Sequence, residues 1–344
     1  MSANHRKKSQ NITIVDVAHE AGVSYSTVSR VLNGFEFVKG STRDRVLKAA
    51  ENLGYVANLS ARSLAGGRTQ VVGMLVPGLD SGYINEITRG IDEALAQEKY
   101  DLMLYTTHRQ HVKESLYVTA IANGLTDGLL LIVPLESRTY IDALQEQNFP
   151  YVLVDQIDET DRSASVYTTN EQGAYAATQY LIELGHRRIG FITGLMDIQS
   201  AVDRLTAYRK ALTDYGIPID ESLIVEGDYW QQSGFDGATR LLELENRPTA
   251  IMASNDLEAF GAMDAIRMQN LRIPEDISLI GYDDIPQASM IHPKLTTVRQ
   301  PLVEMGQIAV QLLLEQINDP GRKPRQVVLD SNLIIRNSCL PPSR

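Results

Sequence analysis

Apolar residues recur at helical spacing in two short runs near the start of the chain, between residues 13 and 33. Thr13 can cap a first helix because Asp16 follows three residues later, and Gly22 can supply the left-handed residue that ends it. A second helix is expected to begin at Ser24. The positions predicted to face each other across the pair are apolar: Ile14, Val17 and Ala18 on the first helix, and Val28, Val31 and Leu32 on the second.

A third helix is predicted from Ser41, which can cap it with Asp44 three residues on. The helix would run through Leu53 and end at Gly54. Residues 55–64 form a segment too short to be a stable helix in isolation, and two glycines follow it. The sequence therefore predicts a small all-α headpiece with a linker behind it.

From residue 70 onward, short apolar runs alternate with stretches long enough for helices. Strands without polar alternation, joined by helices, are typical of parallel sheets covered on both faces. We therefore expect an α/β body of two doubly wound parallel-sheet halves, with strand ends lining the cleft between them. The predicted strands span residues 71–76, 102–105, 128–133, 151–155, 188–193, 223–227, 250–254 and 277–282.

The second helix of the headpiece carries a polar outer face near its first turns, made of Tyr25, Ser26, Ser29 and Arg30. In helix-turn-helix proteins this helix enters the DNA major groove, and an arginine there can bind a guanine through two hydrogen bonds. Taken alone, the same residues also fit an ordinary helix pair with a solvated polar face.

Charge is distributed unevenly along the chain. The net charge is −11, but residues 1–68 carry ten Lys or Arg against five Asp or Glu, a charge of +5, and the remainder carries −16. A basic head on an acidic body is what a DNA-binding protein with a separate sensing domain requires. The first ten residues are polar and basic, which favours a disordered arm over a signal peptide.

Further features indicate a cytoplasmic protein. The chain has a single cysteine, Cys339, so it forms no intrachain disulfide, and no apolar run is long enough to span a membrane. We find no GxxxxGK[ST], HExxH or GxSxG motif, and the adjacent Asp283 and Asp284 are only a weak metal site without a third ligand. The sequence therefore predicts neither catalysis nor a cofactor.

The amino-acid sequence of residues 13–33 resembles that of the lactose repressor family of bacterial transcription regulators, and the resemblance runs over nearly the whole chain. The matching segments are Asp16-Val17-Ala18, Ala21-Gly22-Val23-Ser24, Thr27-Val28-Ser29-Arg30-Val31 and Asn33. The resemblance implies that Tyr25, Ser26 and Arg30 read bases. It also implies that Ser24, Thr27, Ser29 and Asn33 mostly contact phosphates or pack.

The same resemblance makes residues 57–69 a hinge helix and linker, the helix ordered when two chains pair over the operator. Leu64 stands where the family inserts a leucine into the minor groove, and Asn58 and Arg62 match around it. Ala57 departs from the proline that the family usually carries. The alternative for Leu64 is a buried linker leucine.

For the body, the resemblance implies the fold of periplasmic sugar-binding proteins, in which the chain crosses between the halves three times. The crossings are expected near residues 160–166, 293–299 and 322–327. The predicted domains are an arm (1–10), a headpiece (11–56), a hinge and linker (57–69) and a body (70–340). The body divides into an N-subdomain (about 70–163 and 297–324) and a C-subdomain (about 164–296 and 325–340).

Polar residues at strand ends are the candidates for effector binding. Asp155, Arg204, Asn255 and Asp283 match effector-contacting positions of the family, and Tyr229 matches an aromatic platform, which Trp230 can replace or assist unless it packs in the core. Such planar groups suit vicinal sugar hydroxyls. Arg204 is expected at a helix start, where a cation opposes the dipole, and is expected with Asp283 to face a solvent-filled cleft. Asp256 and Asp284 are expected to cap helices.

The function predicted is that of a regulator, most simply a repressor, that binds a palindromic operator as a homodimer and responds allosterically to a small sugar-like effector. The first alternative is a purine-responsive regulator of the same family, whose pocket would stack a base between aromatic rings. Residues 78–83 lack the asparagine and paired phenylalanines common in relatives, so the sequence leaves the identity of the ligand open. A sugar-transport binding protein is opposed by the helix-turn-helix. A nucleotide-dependent enzyme on a doubly wound sheet lacks a glycine-rich fingerprint.

Overall fold

The computed structural model describes residues 12–32, 37–55, 68–122, 124–134, 138–158 and 160–342. The chain separates into two compact units, residues 1–69 and residues 70–344. The predictions for the arm, for Asn33, and for Asn58, Arg62 and Leu64 of the hinge lie outside the described residues.

The first unit, the headpiece, contains helices α1 (Ile14–Ala21), α2 (Tyr25–Leu32) and α3 (Gly40–Leu53). Val17, Val28 and Val46, one from each helix, are completely buried where the three helices meet. The predicted facing surfaces of α1 and α2 are therefore confirmed.

The ends of α1 follow the sequence signals. The backbone N–H of Thr13 donates to Asp16 Oδ2 over 2.7 Å, and Gly22 is left-handed with φ 63°. Ser24 Oγ accepts from the N–H of Thr27 at 3.2 Å, which caps α2.

The predicted start of α3 at Ser41 is wrong. The helix begins at Gly40, because the carbonyl of Lys39 already accepts hydrogen bonds from the N–H groups of Thr42 and Arg43. Ser41 therefore lies inside the first turn, where it cannot serve as the cap. Gly54 ends the helix in the left-handed conformation, as predicted.

The second unit, the body, contains two six-stranded sheets. The first has the order β11-β5-β4-β3-β1-β2 and is entirely parallel. The second has the order β12-β10-β9-β8-β6-β7 and is parallel except for β12. The strands are β1 (Val71–Val76), β2 (Asp101–Thr106), β3 (Gly128–Ile132), β4 (Tyr151–Val154), β5 (Ala164–Thr168), β6 (Ile189–Ile192), β7 (Ile224–Val225), β8 (Ala250–Ala253), β9 (Ser278–Asp283), β10 (Thr296–Arg299), β11 (Gln326–Leu329) and β12 (Asn332–Ile334).

Helices cover both faces of each sheet. In β3, Leu130 and Ile132 join one apolar cluster and Leu129 and Leu131 join another on the opposite face. This explains why the strands read as continuous apolar runs. The helices are α4 (Gly82–Gln97), α5 (His111–Ala122), α6 (Arg138–Glu146), α7 (Asn170–Glu183), α8 (Gln199–Asp214), α9 (Gln231–Leu242), α10 (Asp256–Met268) and α11 (Leu302–Asn318). The predicted fold, two doubly wound halves, is confirmed.

The chain changes sheet three times, a few residues later each time than the sequence predicts. Strand β5 belongs to the first sheet, β10 to the second, and β11 again to the first. The changes therefore fall after Thr168, after Arg299 and after Leu329. These strands contain serine, threonine or glutamine, so they carry a weaker apolar signal than the others.

Among the described residues, no helix is both long enough and apolar enough to cross a membrane.

Candidate functional site

The outer face of α2 presents the residues predicted to read DNA. Tyr25, Ser26 and Arg30 are exposed, and residues 26 and 30 lie one turn apart on the same side of the helix. The Ser24 hydroxyl lies 2.8 Å from that of Thr27 and 2.9 Å from that of Ser26, so the cap of the helix adjoins its exposed face. Ser29 is half-buried. The DNA contacts themselves stay a prediction.

In the body, a cleft between the two halves brings together all five residues predicted to bind an effector. Those five are Asp155, Arg204, Tyr229, Asn255 and Asp283. Other residues of the first half that line it include Pro77, Gly78, Ser81, Tyr83, Arg109 and Val133. Ile198, Ser200 and Trp230 line it from the second half. That the five contact a ligand stays a prediction.

Five of the described cleft residues other than glycine have a left-handed backbone. The φ angles are 55° at Arg109, 45° at Val133, 57° at Asp155, 73° at Tyr229 and 109° at Asp283. Each such conformation costs on the order of 1–3 kcal/mol unless the surroundings hold it, and strain of this kind concentrates at functional sites. Val133 and Asp155 directly follow strands β3 and β4, and Asp283 is the last residue of β9, so these three side chains stand at strand ends that line the cleft.

Asp155 and Tyr83 form an unsatisfied polar pair on the first-half wall. Asp155 Oδ1 and the Tyr83 hydroxyl are both buried without a hydrogen-bond partner among the described residues. Burial raises the pKa of Asp155, and the positive charge of Arg204 opposes that shift. The two groups interact with each other, since Tyr83 lowers the pKa of Asp155 and Asp155 raises the pKa of Tyr83, and a ligand hydroxyl at this wall would complete their hydrogen bonding.

Arg204 is held by several groups on the second-half wall. Its Nε donates to Asn170 Oδ1 over 2.9 Å, and its Nη1 donates to the carbonyl of Ser254 over 2.5 Å. The guanidinium lies 3.7 Å from the centre of the Tyr282 ring and 4.0 Å from Asp283 Oδ1. Burial disfavours its charged form, but the tyrosines and carboxylates around it raise its pKa on balance.

Two expectations about Arg204 are wrong. Helix α8 begins at Gln199, so Arg204 lies in the second turn, beyond the reach of the dipole at the helix start. Arg204 and Asp283 are 2% and 4% exposed, so neither faces a solvent-filled cleft. They pack into the wall and present only part of their polar surface to a ligand.

Asp283 connects this wall to the segments where the chain changes sheet. Its Oδ1 accepts from Gln300 Nε2 over 2.7 Å, and Gln300 Oε1 accepts from the Thr168 hydroxyl over 2.5 Å. Burial raises the pKa of Asp283 to about 7, although Arg204 acts to lower it. Since Asn170 binds Arg204, both charged residues of the wall contact a crossing segment or its immediate neighbour.

Asn255, not its neighbour, caps α10. Asn255 Oδ1 accepts from the N–H of Glu258 over 2.8 Å, while its Nδ2 donates to the Tyr229 carbonyl over 2.9 Å. The expectation that Asp256 caps this helix is therefore wrong: Asp256 accepts from the N–H of Ile285 and the hydroxyl of Thr297.

Asp284 is not a helix cap either. Its two oxygens pair with Arg299 at 2.7 Å and Arg336 at 2.6 Å. Its carboxylate is thus fully occupied by arginines, which also removes it from the weak metal site suggested with Asp283. No cluster of three metal-ligating side chains occurs in the part of the chain that the structure describes.

Tyr229 is held by a glycine against its ring and by a buried carboxylate at its backbone. A Cβ on Gly194 would lie 2.0 Å from Tyr229 Cζ, so only glycine leaves room for the ring. The N–H of Tyr229 donates to Glu258 Oε1 over 2.8 Å. Burial raises the pKa of Glu258 to about 8. Trp230 lines the cleft beside Tyr229, and the choice between them as ligand platform stays a prediction.

Comparisons with known proteins agree with this architecture. Residues 13–58 match the bacterial regulatory proteins of the lacI family, and residues 178–339 match a periplasmic binding protein-like domain. Catabolite control protein A of Priestia megaterium is 36% identical over 309 residues, which are 90% of this chain and 93% of that protein. The chain therefore belongs to the lacI family.

Two solved structures of transcription regulators match nearly the whole chain. The lac repressor dimer bound to operator and the anti-inducer ONPF has a TM-score of 0.83 at 31% identity, covering 96% of this chain and all of that one. The complex of the transcriptional regulator CelR with cellobiose has a TM-score of 0.73 at 32% identity, covering 95% and 99%. The chain is accordingly a DNA-binding transcription regulator and not an enzyme, as the sequence predicts.

Two cleft residues and three residues that support the cleft wall were not predicted from the sequence. Tyr83, at the start of α4, and Arg109, in the loop after β2, line the cleft. Glu258 lies inside a helix, and Asn170 and Gln300 flank changes of sheet; these three contact cleft residues. The positions of Tyr83 and Arg109 just after strands β1 and β2 are a usable signal, because loops after parallel strands line such clefts. For Glu258 we find no signal in the sequence.

Proposed function

We propose that this regulator binds a small polyhydroxyl effector, a sugar or a sugar derivative, in the cleft of its body. We further propose that it acts as a repressor in the cytoplasm, binding a palindromic operator as a homodimer. One observation carries the ligand proposal: carboxylate, guanidinium, amide and aromatic side chains from both halves meet in one cleft.

The chemistry of the cleft favours hydroxyl groups as ligands. The Asp155 carboxylate and the Tyr83 hydroxyl, which interact with each other, can each form a further single hydrogen bond, as sugar hydroxyls require. Tyr229 or Trp230 supplies a ring for the apolar face of a sugar. The cellobiose complex of the relative CelR supports a sugar as the ligand class. A purine, the alternative, would be held chiefly by stacking between aromatic rings.

The same contacts explain how a ligand would act at a distance. Asp283 and Arg204 bind Gln300 and Asn170, residues at the changes of sheet. A ligand that touches both walls stabilises one relative position of the halves and moves or locks these crossing segments. Effector and operator affinities are then coupled, and the coupling is equal in both directions.

Operator binding is assigned to paired headpieces. The outer face of α2 carries Tyr25, Ser26 and Arg30, and the operator complex of the lac repressor, a dimer, supports the same mode here. A palindromic operator matches a two-fold symmetric protein because each half-site meets one headpiece. Leu64, Asn58 and Arg62 are proposed to contact the minor groove next to it.

A ligand panel on the full-length protein tests the proposal. Thermal unfolding and operator affinity are measured with mono- and disaccharides and with purine bases. We expect one sugar to raise the melting temperature and to change operator affinity, since a ligand at 100 times its dissociation constant adds about 2.7 kcal/mol of stability. Stabilisation by purine bases alone would overturn the sugar assignment.

Asp155→Asn and the exposed-surface variant Arg240→Gln complete this experiment. Asp155→Asn should lose most of the response to the active sugar, because it removes the charged acceptor on the first-half wall. Arg240 lies on the exposed side of α9, away from the cleft residues, and its variant should respond like the parent. Equal responses from both variants would contradict the placement of the site.

A further inference from the structure

One cleft residue, Arg109, carries a positive charge that the binding of neutral sugar hydroxyls does not require. Arg109 follows β2 in the first half, with a left-handed backbone and its N–H donating to the Thr107 hydroxyl at 3.3 Å. This turn points its side chain into the cleft. Its Nε and Nη1 atoms are buried and have no hydrogen-bond partner among the described residues.

The second arginine of the cleft shows what a satisfied guanidinium looks like here. Arg204 has a carboxylate, an amide oxygen, a carbonyl and a tyrosine ring around it. Arg109 has none of these: among the described residues, no carboxylate lies within 4.0 Å of it. The groups that most favour its charged form are the Tyr229 hydroxyl and then the carboxylates of Asp228 and Asp80, and neither carboxylate lies within that distance.

An unpaired cation in a partly closed cleft is costly. Burial lowers the pKa of Arg109, but a guanidinium stays protonated at any physiological pH, so the charge persists. Leaving buried N–H groups of a charged side chain unsatisfied costs more than leaving neutral ones. A ligand group that pairs with both nitrogens removes that cost, and a planar or tetrahedral anion fits the fork of an arginine best.

We infer that the effector carries an anionic group, a carboxylate or a phosphate ester, and that Arg109 binds this group on the first-half wall of the cleft. This inference rests on the proposed function, because it specifies the class of sugar derivative. The carboxylates Asp155 and Asp283 take the hydroxyls, and they repel a second anion. The ligand therefore has one defined orientation, with its charge toward Arg109.

Matched ligand sets test this inference on the full-length protein. The probes are glucose, glucose 6-phosphate and glucuronic acid, the corresponding galactose set, and ribose with ribose 5-phosphate, each measured by calorimetric titration. In the set that fits the cleft, we expect the anionic member to bind at least about tenfold more tightly than the neutral sugar. The anionic probe that binds more tightly shows whether the site takes a phosphate ester or a carboxylate.

Three variants test whether a preference for the anionic ligand depends on Arg109. In Arg109→Gln the ratio of anionic to neutral affinity should fall toward one, Arg109→Lys should restore part of it, and Arg240→Gln should keep the parental ratio. A melting temperature for each variant shows that it is folded.

The possible outcomes separate this inference from the proposed function. A neutral sugar that binds as tightly as its anionic counterparts overturns the inference and leaves the proposed function intact. An anionic preference that persists in Arg109→Gln overturns the assignment to Arg109. Binding of no member of any set counts against the proposed sugar class itself.

Discussion

At the scale of single residues, Arg204 stabilises the wall of the cleft as well as being placed to bind a ligand. It is 2% exposed and donates to two buried acceptors, Asn170 and the Ser254 carbonyl. Removing one partner from a buried charged network leaves the others unsatisfied. The expected loss of effector response on mutation is therefore accompanied by a loss of stability, which a solvent-facing residue would not cause.

We predict that Arg204→Ala lowers the free energy of unfolding by about 3 kcal/mol, the scale of a broken buried charge pair. Urea denaturation followed by circular dichroism measures it. Arg204→Lys should recover little of the loss, because an ammonium cannot reach both acceptors with fixed geometry. A fully stable Arg204→Ala protein would show that the network is not structural.

Glu258 makes stability depend on pH. Its pKa is raised by burial from 4.5 to about 8, so between these values the folded state holds a proton that the unfolded state has released. The free energy of unfolding must then fall as pH rises from about 5 to 8, by at most about 1.4 kcal/mol per pH unit. Above pH 8 this contribution becomes constant.

Glu258→Gln isolates that contribution, since Asp283 titrates in both proteins. We predict that the parent loses stability relative to Glu258→Gln between pH 5 and pH 8, with no further divergence at higher pH. Urea unfolding at intervals of half a pH unit gives both curves. Parallel curves would mean that Glu258 is ionised in the folded protein.

At the scale of elements, helices α9 and α10 pack so closely that glycine is required at their contact. A Cβ on Gly261 would lie 1.8 Å from the carbonyl oxygen of Gln231. The two helices carry Trp230, Asn255 and Glu258 at or near their starts, so their spacing positions one wall of the cleft.

We predict that Gly261→Ala lowers the free energy of unfolding by about 2 to 3 kcal/mol, because backbone must move to admit the methyl group. Gly237→Ala is the matched control in α9. Its Cβ would meet only the Ile192 side chain, at 3.3 Å, so the change should stay below about 1 kcal/mol. Chemical denaturation of both variants measures the two free energies of unfolding. Equal losses in the two variants would contradict a backbone contact at Gly261.

Helix α2 gives the second prediction at this scale. Arg30 is exposed one turn after Ser26, so Arg30→Ala should weaken binding to a specific operator by about 1 to 3 kcal/mol. Binding to random DNA should change much less. Fluorescence anisotropy with both DNAs measures the difference, and equal losses on the two would reassign Arg30 to a phosphate contact.

The sequence predicts elements best where packing makes the pattern strong. Strands β1, β3 and β8 are buried on both faces and are visible as apolar runs. Strands β5, β10, β11 and β12 were missed because they are short and include polar residues. In the site, Asp155, Asn255 and Asp283 were found from strand ends. Arg109 reaches the cleft, and Glu258 supports Tyr229, through tertiary packing that no local pattern encodes.

At the scale of the whole molecule, two headpieces must act together if the operator is palindromic. We predict that the full palindrome binds at least about a hundredfold more tightly than a single half-site, because the second headpiece binds at a high effective concentration. Titration of both DNAs in one buffer tests this. Comparable affinities would mean that one headpiece binds at a time.

The strand orders of the two sheets have a consequence for biosynthesis. Strand β11 completes the edge beside β5 and β12 the edge beside β10, although both follow all the other described strands along the chain. On the ribosome, the headpiece can fold as soon as it emerges, while both halves of the body must wait for residues near 330. A nascent chain arrested earlier would expose DNA-reading side chains before it possessed a complete sensor to restrain them.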